Sequence, residues 1–99
     1  RVAVLGGAGD SALEAARAAG VDVYLTADLR HHPASEHLEG GAPALLCGSH
    51  WATESPWLPV LARKIREAAC AADVELRVEV STIVTEPWTS YRVTQGELA

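Results

Sequence analysis

The chain has 99 residues, 48% of them hydrophobic, and a formal net charge of −5 at pH 7. This length allows one domain and is near the lower end for a self-sufficient core. The 8 basic residues are scattered among 13 acidic ones, which argues against nucleic acid as the partner, because a phosphate backbone requires a Lys/Arg patch. No apolar run approaches the roughly 18–20 residues of a membrane span, and no signal-peptide pattern opens the chain. A cytoplasmic location without a membrane partner is therefore predicted.

The two cysteines and the residue at which the sequence starts lead to two further predictions. The two cysteines, Cys47 and Cys70, form neither a disulfide framework nor a CxxC metal motif. Each lies in an apolar stretch, so we expect two buried free thiols. The chain has no methionine and starts at Arg1, directly before a strand-like run. We therefore expect a fragment, a processed product or an excised domain, with residues 1–99 forming a single unit.

Short apolar runs predict the strands. Residues 2–5 form an apolar run that is closed by the glycines of residues 6–9, which is typical of a buried strand. Residues 21–26 and 44–47 are predicted to be the second and third strands. Residues 74–80 alternate apolar and charged side chains. That alternation predicts a half-exposed strand at a sheet edge.

Helical segments are predicted between the strands. Asp10 or Ser11 can cap a first helix, and residues 34–38 form a short second one. A long helix is expected to begin at Pro56 with Ser55 as its cap. This alternation predicts an α/β fold with a mostly parallel sheet and alternating helices in a three-layer type of arrangement.

Polar clusters follow three successive predicted strands. They are residues 6–11, then Asp28 with the histidines at 31–32, then His50 with Glu54. Ligands of parallel α/β sheets bind outside the carboxyl ends of the strands. If the strands are parallel, all three clusters therefore lie at one edge of the sheet.

His50 and Glu54 are candidate metal ligands. His50 lies just past a strand and Glu54 just before a helix, so an imidazole and a carboxylate four residues apart can converge on one ion. This donor set suits Zn, Mn, Fe or Co better than Ca or Mg alone. Two ligands do not hold such an ion tightly, because these sites use three or four. The alternative is a loop histidine beside a carboxylate that stabilises the first turn of a helix.

The other two clusters leave alternatives open. Asp28, His31 and His32 suit metal ligation, substrate binding or acid–base chemistry, or else they belong to an ordinary polar loop. His37, in the short predicted helix, is expected at the surface. The glycines of residues 6–9 resemble a phosphate-cradling turn but match neither GxGxxG nor a P-loop. The alternative there is a tight strand-to-helix turn.

Four segments, in this order, resemble the C-terminal half of the Nif-three-like family, also described as dinuclear-metal-centre hexameric proteins or GTP cyclohydrolase type 2 homologues. The segments are residues 6–11, residues 19–26 with Asp28, the pair His31–His32, and residues 48–54. The last one, Gly-Ser-His-Trp-Ala-Thr-Glu, is the most specific. The likeness covers nearly the whole chain.

The resemblance implies that His50 and Glu54 ligate metal. It implies that Asp28 and His32 line the same cleft, binding substrate or supporting the ligands. Two divalent transition-metal ions (Zn, Fe, Mn or Co) are implied in the full-length protein, with further ligands from an N-terminal half that this chain lacks: a His-His-Pro motif and an aspartate. The segment His31-His32-Pro33 is not that motif, because it follows Thr26-Ala27-Asp28, which is the context of the family's later histidine pair. The resemblance also implies half of a larger Nif-three-like fold and a homo-oligomer, a hexamer in the family. Residues 87–99 are a candidate docking tail.

Two functions remain open under this resemblance, with no residue assigned a catalytic role. In the first, the full-length protein is a metal-dependent hydrolase of a nucleotide or another phosphate-bearing small molecule. Bridged ions activate water, and Asp28 and His32 position substrate or transfer protons. In the second, the protein is a non-catalytic metal-binding scaffold or regulatory assembly. A third reading, a binding module without metal, follows from the α/β pattern alone.

Overall fold

A parallel sheet organises the chain, and the computed structural model describes residues 1–90. The strands are β1 (Val2–Ala8), β2 (Val23–Ala27) and β3 (Ala44–Gly48). All pairings are parallel, and β2 lies between β1 and β3. The prediction of an α/β fold with a parallel sheet is confirmed. Most of the candidate docking tail, residues 91–99, lies outside the described residues.

Helices follow each strand. They are a 3₁₀ turn at Asp10–Ala12, then α1 (Leu13–Ala18), α2 (His31–Glu39), α3 (His50–Glu54) and α4 (Trp57–Ala71). The predicted caps are wrong. Neither Asp10 nor Ser11 caps α1, and Pro56 rather than Ser55 precedes α4 without a side-chain cap. The reason at Asp10 is competition, because its carboxylate accepts hydrogen bonds from the backbone N–H and the side-chain Nε of Arg30.

The core lies between one face of the sheet and α1. Leu13 and Ala16 of α1 pack with Val21 and Tyr24. Tyr24 is buried, and its hydroxyl donates a hydrogen bond of 3.0 Å to the carbonyl of Gly9. A buried tyrosine hydroxyl usually has a hydrogen-bond partner, and here Gly9 supplies the acceptor at the first strand-to-helix turn.

His37 is buried, so its predicted position at the surface is wrong. Its Nδ1 lies 3.1 Å from Nη2 of Arg17, and its Nε2 lies 3.2 Å from the carbonyl oxygen of Pro43. Arg17 also donates to the His37 carbonyl at 2.6 Å. The imidazole is satisfied inside the protein because a donor faces one ring nitrogen and an acceptor faces the other. This contact also places α1 and α2 on the same side of the sheet.

The opposite side of the sheet carries exposed apolar side chains. In register across the strands, Val2, Val4 and Leu46 are 64%, 69% and 53% exposed; we call these three the open sheet face. The apolar stripe of α4 is partly exposed, at 39% for Leu58 and 37% for Ile65, and residues 78–81 line a groove beside it. Within residues 1–90, the open sheet face is not covered.

Both cysteines are exposed, and the prediction of buried thiols is wrong. Cys47 lies on the edge strand β3, and Cys70 lies near the end of α4. An apolar neighbourhood in sequence predicts burial only if another element packs over it. Inside the described range, neither thiol has such a cover.

Residues 74–80 are not assigned to a strand, and the predicted edge strand is wrong for the described part of the chain. A strand needs a neighbour that accepts and donates its backbone hydrogen bonds. The hydrogen bonds seen here go to α4 instead: the N–H of Val74 donates to the carbonyl of Ala69 at 2.9 Å, and Nη2 of Arg66 donates to the carbonyl of Val78 at 2.6 Å.

Gly9→Ala is expected to destabilise the fold by about 3 kcal/mol, at the upper end of overpacking costs. A Cβ at this position would lie 2.0 Å from Oγ1 of Thr26 and 2.5 Å from the Tyr24 hydroxyl oxygen. Urea unfolding would measure the loss. Gly20→Ala is the control, because its Cβ would meet nothing closer than 4.0 Å; it should cost only backbone strain of about 1 kcal/mol. Equal stability of the two variants would contradict the crowding.

Candidate metal centre

The carboxyl ends of the strands bring Asp28, His50 and Glu54 together. Asp28 directly follows β2, His50 begins α3 just after β3, and Glu54 ends the same helix. Parallel strands end at the same sheet edge, so residues distant in sequence meet there. We call these three residues the carboxylate–histidine cluster.

His50 is held between the two carboxylates. Its Nδ1 lies 2.6 Å from Oδ2 of Asp28, and its Nε2 lies 3.1 Å from Oε1 of Glu54. The side chains are about half exposed, at 47% for His50 and 55% for each carboxylate. Asp28 therefore contacts Nδ1 of His50, and the Glu54 carboxylate faces Nε2 on the other side of the ring.

Helix α3 sits close to the sheet because glycines face it. A Cβ on Gly6 would lie 2.8 Å from the carbonyl oxygen of Thr53, and one on Gly48 would lie 2.8 Å from Cγ2 of the same threonine. Ser49 begins the helix by accepting a hydrogen bond of 3.2 Å from the N–H of Ala52, a common N-cap interaction. Because Gly6 and Gly48 have no side chains, α3 packs closely against the sheet, and this close packing sets the positions of His50 and Glu54.

Gly7 and Thr53 lie inside two of the sequence motifs, but the motifs assigned neither of them a role of its own in this site. The Gly7 N–H donates to Oγ1 of Thr53 at 3.0 Å, and the Gly7 carbonyl accepts from Oγ1 of Thr26 at 2.9 Å. The N–H of Gly9 donates to the carbonyl of Ala27 at 3.2 Å. These two amides are used inside the protein, which supports a strand-to-helix turn over a phosphate cradle. Gly7 has a positive φ of 77°. A glycine inside a strand often marks such an irregular backbone position, and this is the one signal in the sequence that could have pointed to Gly7.

Asp28 adopts a left-handed backbone conformation, with φ of 52°. Residues other than glycine rarely do so, and aspartate is among those that tolerate it best. A residue keeps such an unfavourable backbone conformation only when the surrounding structure holds it there. Here the turn directs the carboxylate toward Nδ1 of His50.

The pKa of His50 is raised above the ordinary histidine value. The largest cause is the hydrogen bond to Asp28, and the negative charge of Glu54 adds to it, while desolvation opposes the shift. A doubly flanked imidazole favours its charged form because both nitrogens can then donate. Without a metal ion, the two flanking carboxylates therefore favour the protonated form of the His50 imidazole.

Asp28→Asn is expected to lower the pKa of His50, because it removes the strongest cause of the increase. The imidazole resonances of the metal-free protein, followed by NMR against pH, would report this change. Asp10→Asn is the matched control. Asp10 stands at the same sheet edge but pairs with Arg30, so His50 should titrate there as in the wild type. A pKa that stays equally high in Asp28→Asn would contradict the assigned cause.

His32 stands apart from the cluster. His31 and His32 lie in the first turn of α2, are both exposed, and meet edge to face with ring centroids 5.2 Å apart. No hydrogen bond or ion pair within residues 1–90 joins either ring to Asp28, His50 or Glu54. The structure therefore gathers three of the four predicted site residues, and the role of His32 stays a prediction.

The cluster offers two donors to one ion. Ligands bound at about 2.0–2.2 Å to a single ion lie about 2.8–3.6 Å from each other, from octahedral to tetrahedral geometry, and Nε2 of His50 and Oε1 of Glu54 are 3.1 Å apart. Asp28 on Nδ1 is the carboxylate partner that metal-binding histidines commonly have. Among residues 1–90, however, no group of three or more His, Cys, Asp or Glu side chains is placed to hold a metal ion. The donor set fits a metal ion in part.

A family model described as Duf34/NIF3 (NGG1p interacting factor 3) matches residues 1–87. The chain belongs to this family. The match covers all strands and helices of the fold and the carboxylate–histidine cluster, as the motif resemblance predicts.

Relatives and a solved structure agree with this assignment. A Streptomyces coelicolor protein named GTP cyclohydrolase 1 type 2 homolog is 52% identical over 90 residues, 91% of this chain and 32% of its own length. The Mycobacterium bovis protein of the same name is 51% identical over 88 residues, covering 89% of this chain and 22% of its own. A crystal structure of a Bacillus cereus protein related to NIF3 superposes with a TM-score of 0.79 at 26% identity, covering 91% of this chain and 24% of that one. The chain spans a third or less of each.

None of the helices in the described part of the chain combines the length and the apolar character needed to cross a bilayer.

Proposed function

We propose that the chain supplies His50 and Glu54 as metal ligands, and Asp28 as their support, to a dinuclear centre in a longer cytoplasmic polypeptide. The observation that carries this proposal is the position of His50: one ring nitrogen on Asp28, the other facing Glu54 at 3.1 Å. The ions are divalent transition metals, because imidazole and carboxylate suit Zn, Fe, Mn or Co. Family membership supports the same pair of ligands.

In this centre each residue has a distinct task. His50 and Glu54 bind metal, and Asp28 holds the imidazole in the orientation and tautomer that leave Nε2 available. A bound pair of ions would supply an activated water and stabilise charge on a phosphate-bearing substrate. His32, at the start of α2, is a residue for substrate positioning or proton transfer. The relatives' name, GTP cyclohydrolase 1 type 2 homolog, is consistent with a nucleotide as that substrate.

The remaining ligands would come from the rest of the polypeptide. The open sheet face is uncovered among the described residues, and a groove of about 860 Å³ beside Glu54 is lined by Trp51, Trp57, Leu58 and Ile83. Large exposed apolar patches mark surfaces that pack against something else. We propose that the N-terminal half of the family fold covers them and that the assembled protein is a homohexamer.

The proposal is tested by metal analysis and nucleotide hydrolysis of the full-length polypeptide. After mild chelation and addition of Zn²⁺, Mn²⁺ or Co²⁺, the wild type should retain metal and hydrolyse GTP or another nucleotide. His50→Ala should lose both properties. Hydrolysis that is unchanged in His50→Ala would contradict the catalytic proposal. Failure of the wild type to retain any of these metals would contradict the metal site itself and favour a binding module without metal.

A non-catalytic metal-binding scaffold or regulatory assembly is the second candidate. It is favoured by the fact that Asp28 is engaged with His50 and that, within residues 1–90, no further titratable side chain contacts the cluster by a hydrogen bond or ion pair. A scaffold would retain metal in the wild type and lose it in His50→Ala, with no nucleotide hydrolysis in either protein.

A further inference from the structure

We propose that Gly7 is a positioning residue of the metal centre, reserving the space between His50 and Glu54 for an ion. This inference rests on the proposed function, because it assigns a role in that same site. A Cβ on Gly7 would lie 2.4 Å from Oε1 of Glu54 and 3.2 Å from Nε2 of His50. The two donor atoms that face each other are thus the two that a side chain at this position would crowd.

The backbone of Gly7 cannot easily move away from the donors. It is buried near the end of β1, with its N–H bound to Thr53 and its carbonyl bound to Thr26. Thr53 in turn donates from Oγ1 to the carbonyl of His50 at 3.0 Å. Gly7 and the first turn of α3 therefore form one hydrogen-bonded unit, so a methyl group added at Gly7 would be held against the donors.

The group that yields is the carboxylate of Glu54. It is the far end of a flexible side chain that is 55% exposed, so it can swing toward solvent at small energetic cost. The fold would then survive a substitution at Gly7 while the Glu54 oxygen leaves its place beside Nε2 of His50. Loss of metal binding without loss of folding distinguishes this role from a purely structural one.

A second reason for glycine at this position is backbone conformation, because φ is 77°. Side chains rarely adopt such a conformation, and any substitution carries strain. Gly41 separates the two effects. It has φ of 89°, and a Cβ there would meet nothing within 4 Å. Gly41→Ala therefore carries comparable strain and no contact with the site.

The experiment titrates Zn²⁺ and Co²⁺ into four forms of the full-length polypeptide: wild type, Gly7→Ala, Gly41→Ala and His50→Ala. Gly7→Ala should weaken affinity at least about tenfold, the scale of lost ligand support, and Gly41→Ala less than about twofold. The metal-free melting temperatures of the two glycine variants should agree within about 4 °C.

The outcomes separate this inference from the proposed function. Wild-type binding that His50→Ala abolishes and Gly7→Ala leaves intact overturns the role of Gly7 alone. A Gly7→Ala melting temperature far below that of Gly41→Ala overturns it too, since the carboxylate would then not be the group that yields. Absence of binding in the wild type, or equal binding in His50→Ala, overturns the proposed function with it.

Discussion

His50→Ala is expected to weaken transition-metal binding by more than about 100-fold in the full-length polypeptide. Removal of a residue that only supports a ligand costs about 10–100-fold, and His50 is proposed as the ligand itself. Isothermal titration with Zn²⁺ or the visible spectrum of the Co²⁺ form would measure the change. Asp28→Asn should fall within the smaller range, since it removes the partner on Nδ1 and leaves Nε2 in place.

His31→Ala provides the matched control. It removes another exposed histidine close to the same sheet edge, one that packs against His32 rather than the cluster. Its metal affinity should equal that of the wild type. A similar loss in His31→Ala and His50→Ala would show that the effect does not come from the ligand position.

Metal affinity is expected to fall about tenfold for each pH unit below the pKa of His50. The proton on Nε2 must leave before that nitrogen can bind an ion, so metal and proton compete for it. Because Asp28 and Glu54 raise this pKa, the decline should begin at a higher pH than an ordinary histidine would give. Titrations at a series of pH values in a metal-inert buffer would follow it.

Asp28→Asn tests the sign of this pH effect. It should move the onset of the decline to lower pH, because the pKa of His50 falls. In the metal-free protein the raised pKa of His50 makes folding stability, unlike metal affinity, decrease as pH rises. The stability that the raised pKa contributes is fully present below the pKa of histidine in the unfolded chain, about 6.5, and is lost as pH rises through the pKa in the folded protein. Affinity that is independent of pH across this range would contradict binding through Nε2 of His50.

The part of the fold that could be predicted depends on local patterns. Apolar runs identified the strands, and the order of strands and helices predicted a parallel sheet, which the structure confirms. From parallel strands it follows that their carboxyl ends share one edge, and Asp28, His50 and Glu54 do meet there. Spacing alone could not show that Asp28 binds Nδ1, because that contact depends on a left-handed turn at Asp28.

The predictions that failed depend on contacts between distant segments. His37 is buried because Arg17 and Pro43 satisfy its ring nitrogens, and no local pattern contains that information. Apolar neighbours in sequence predict burial of Cys47 and Cys70, but a thiol is buried only when another element covers it, and both are exposed. Residues 74–80 have the alternation of a strand and lack a partner strand within residues 1–90.

Gly7 illustrates a third kind of limit. A run of glycines between a strand and a helix is compatible with a phosphate cradle, a tight turn or a close packing contact. The distinction depends on which atoms a Cβ would meet, and at Gly7 these are the donors of His50 and Glu54. Only the three-dimensional arrangement distinguishes a glycine that makes room for a ligand from one that makes a turn.

Anomalous diffraction from a crystal of the full-length polypeptide loaded with Zn²⁺ tests the central claim most directly. We expect an anomalous peak within about 2.0–2.2 Å of Nε2 of His50 and of a Glu54 carboxylate oxygen, with Asp28 still bound to Nδ1. A peak bound by other residues, with the His50 Nε2–Glu54 contact unchanged at 3.1 Å, would contradict it.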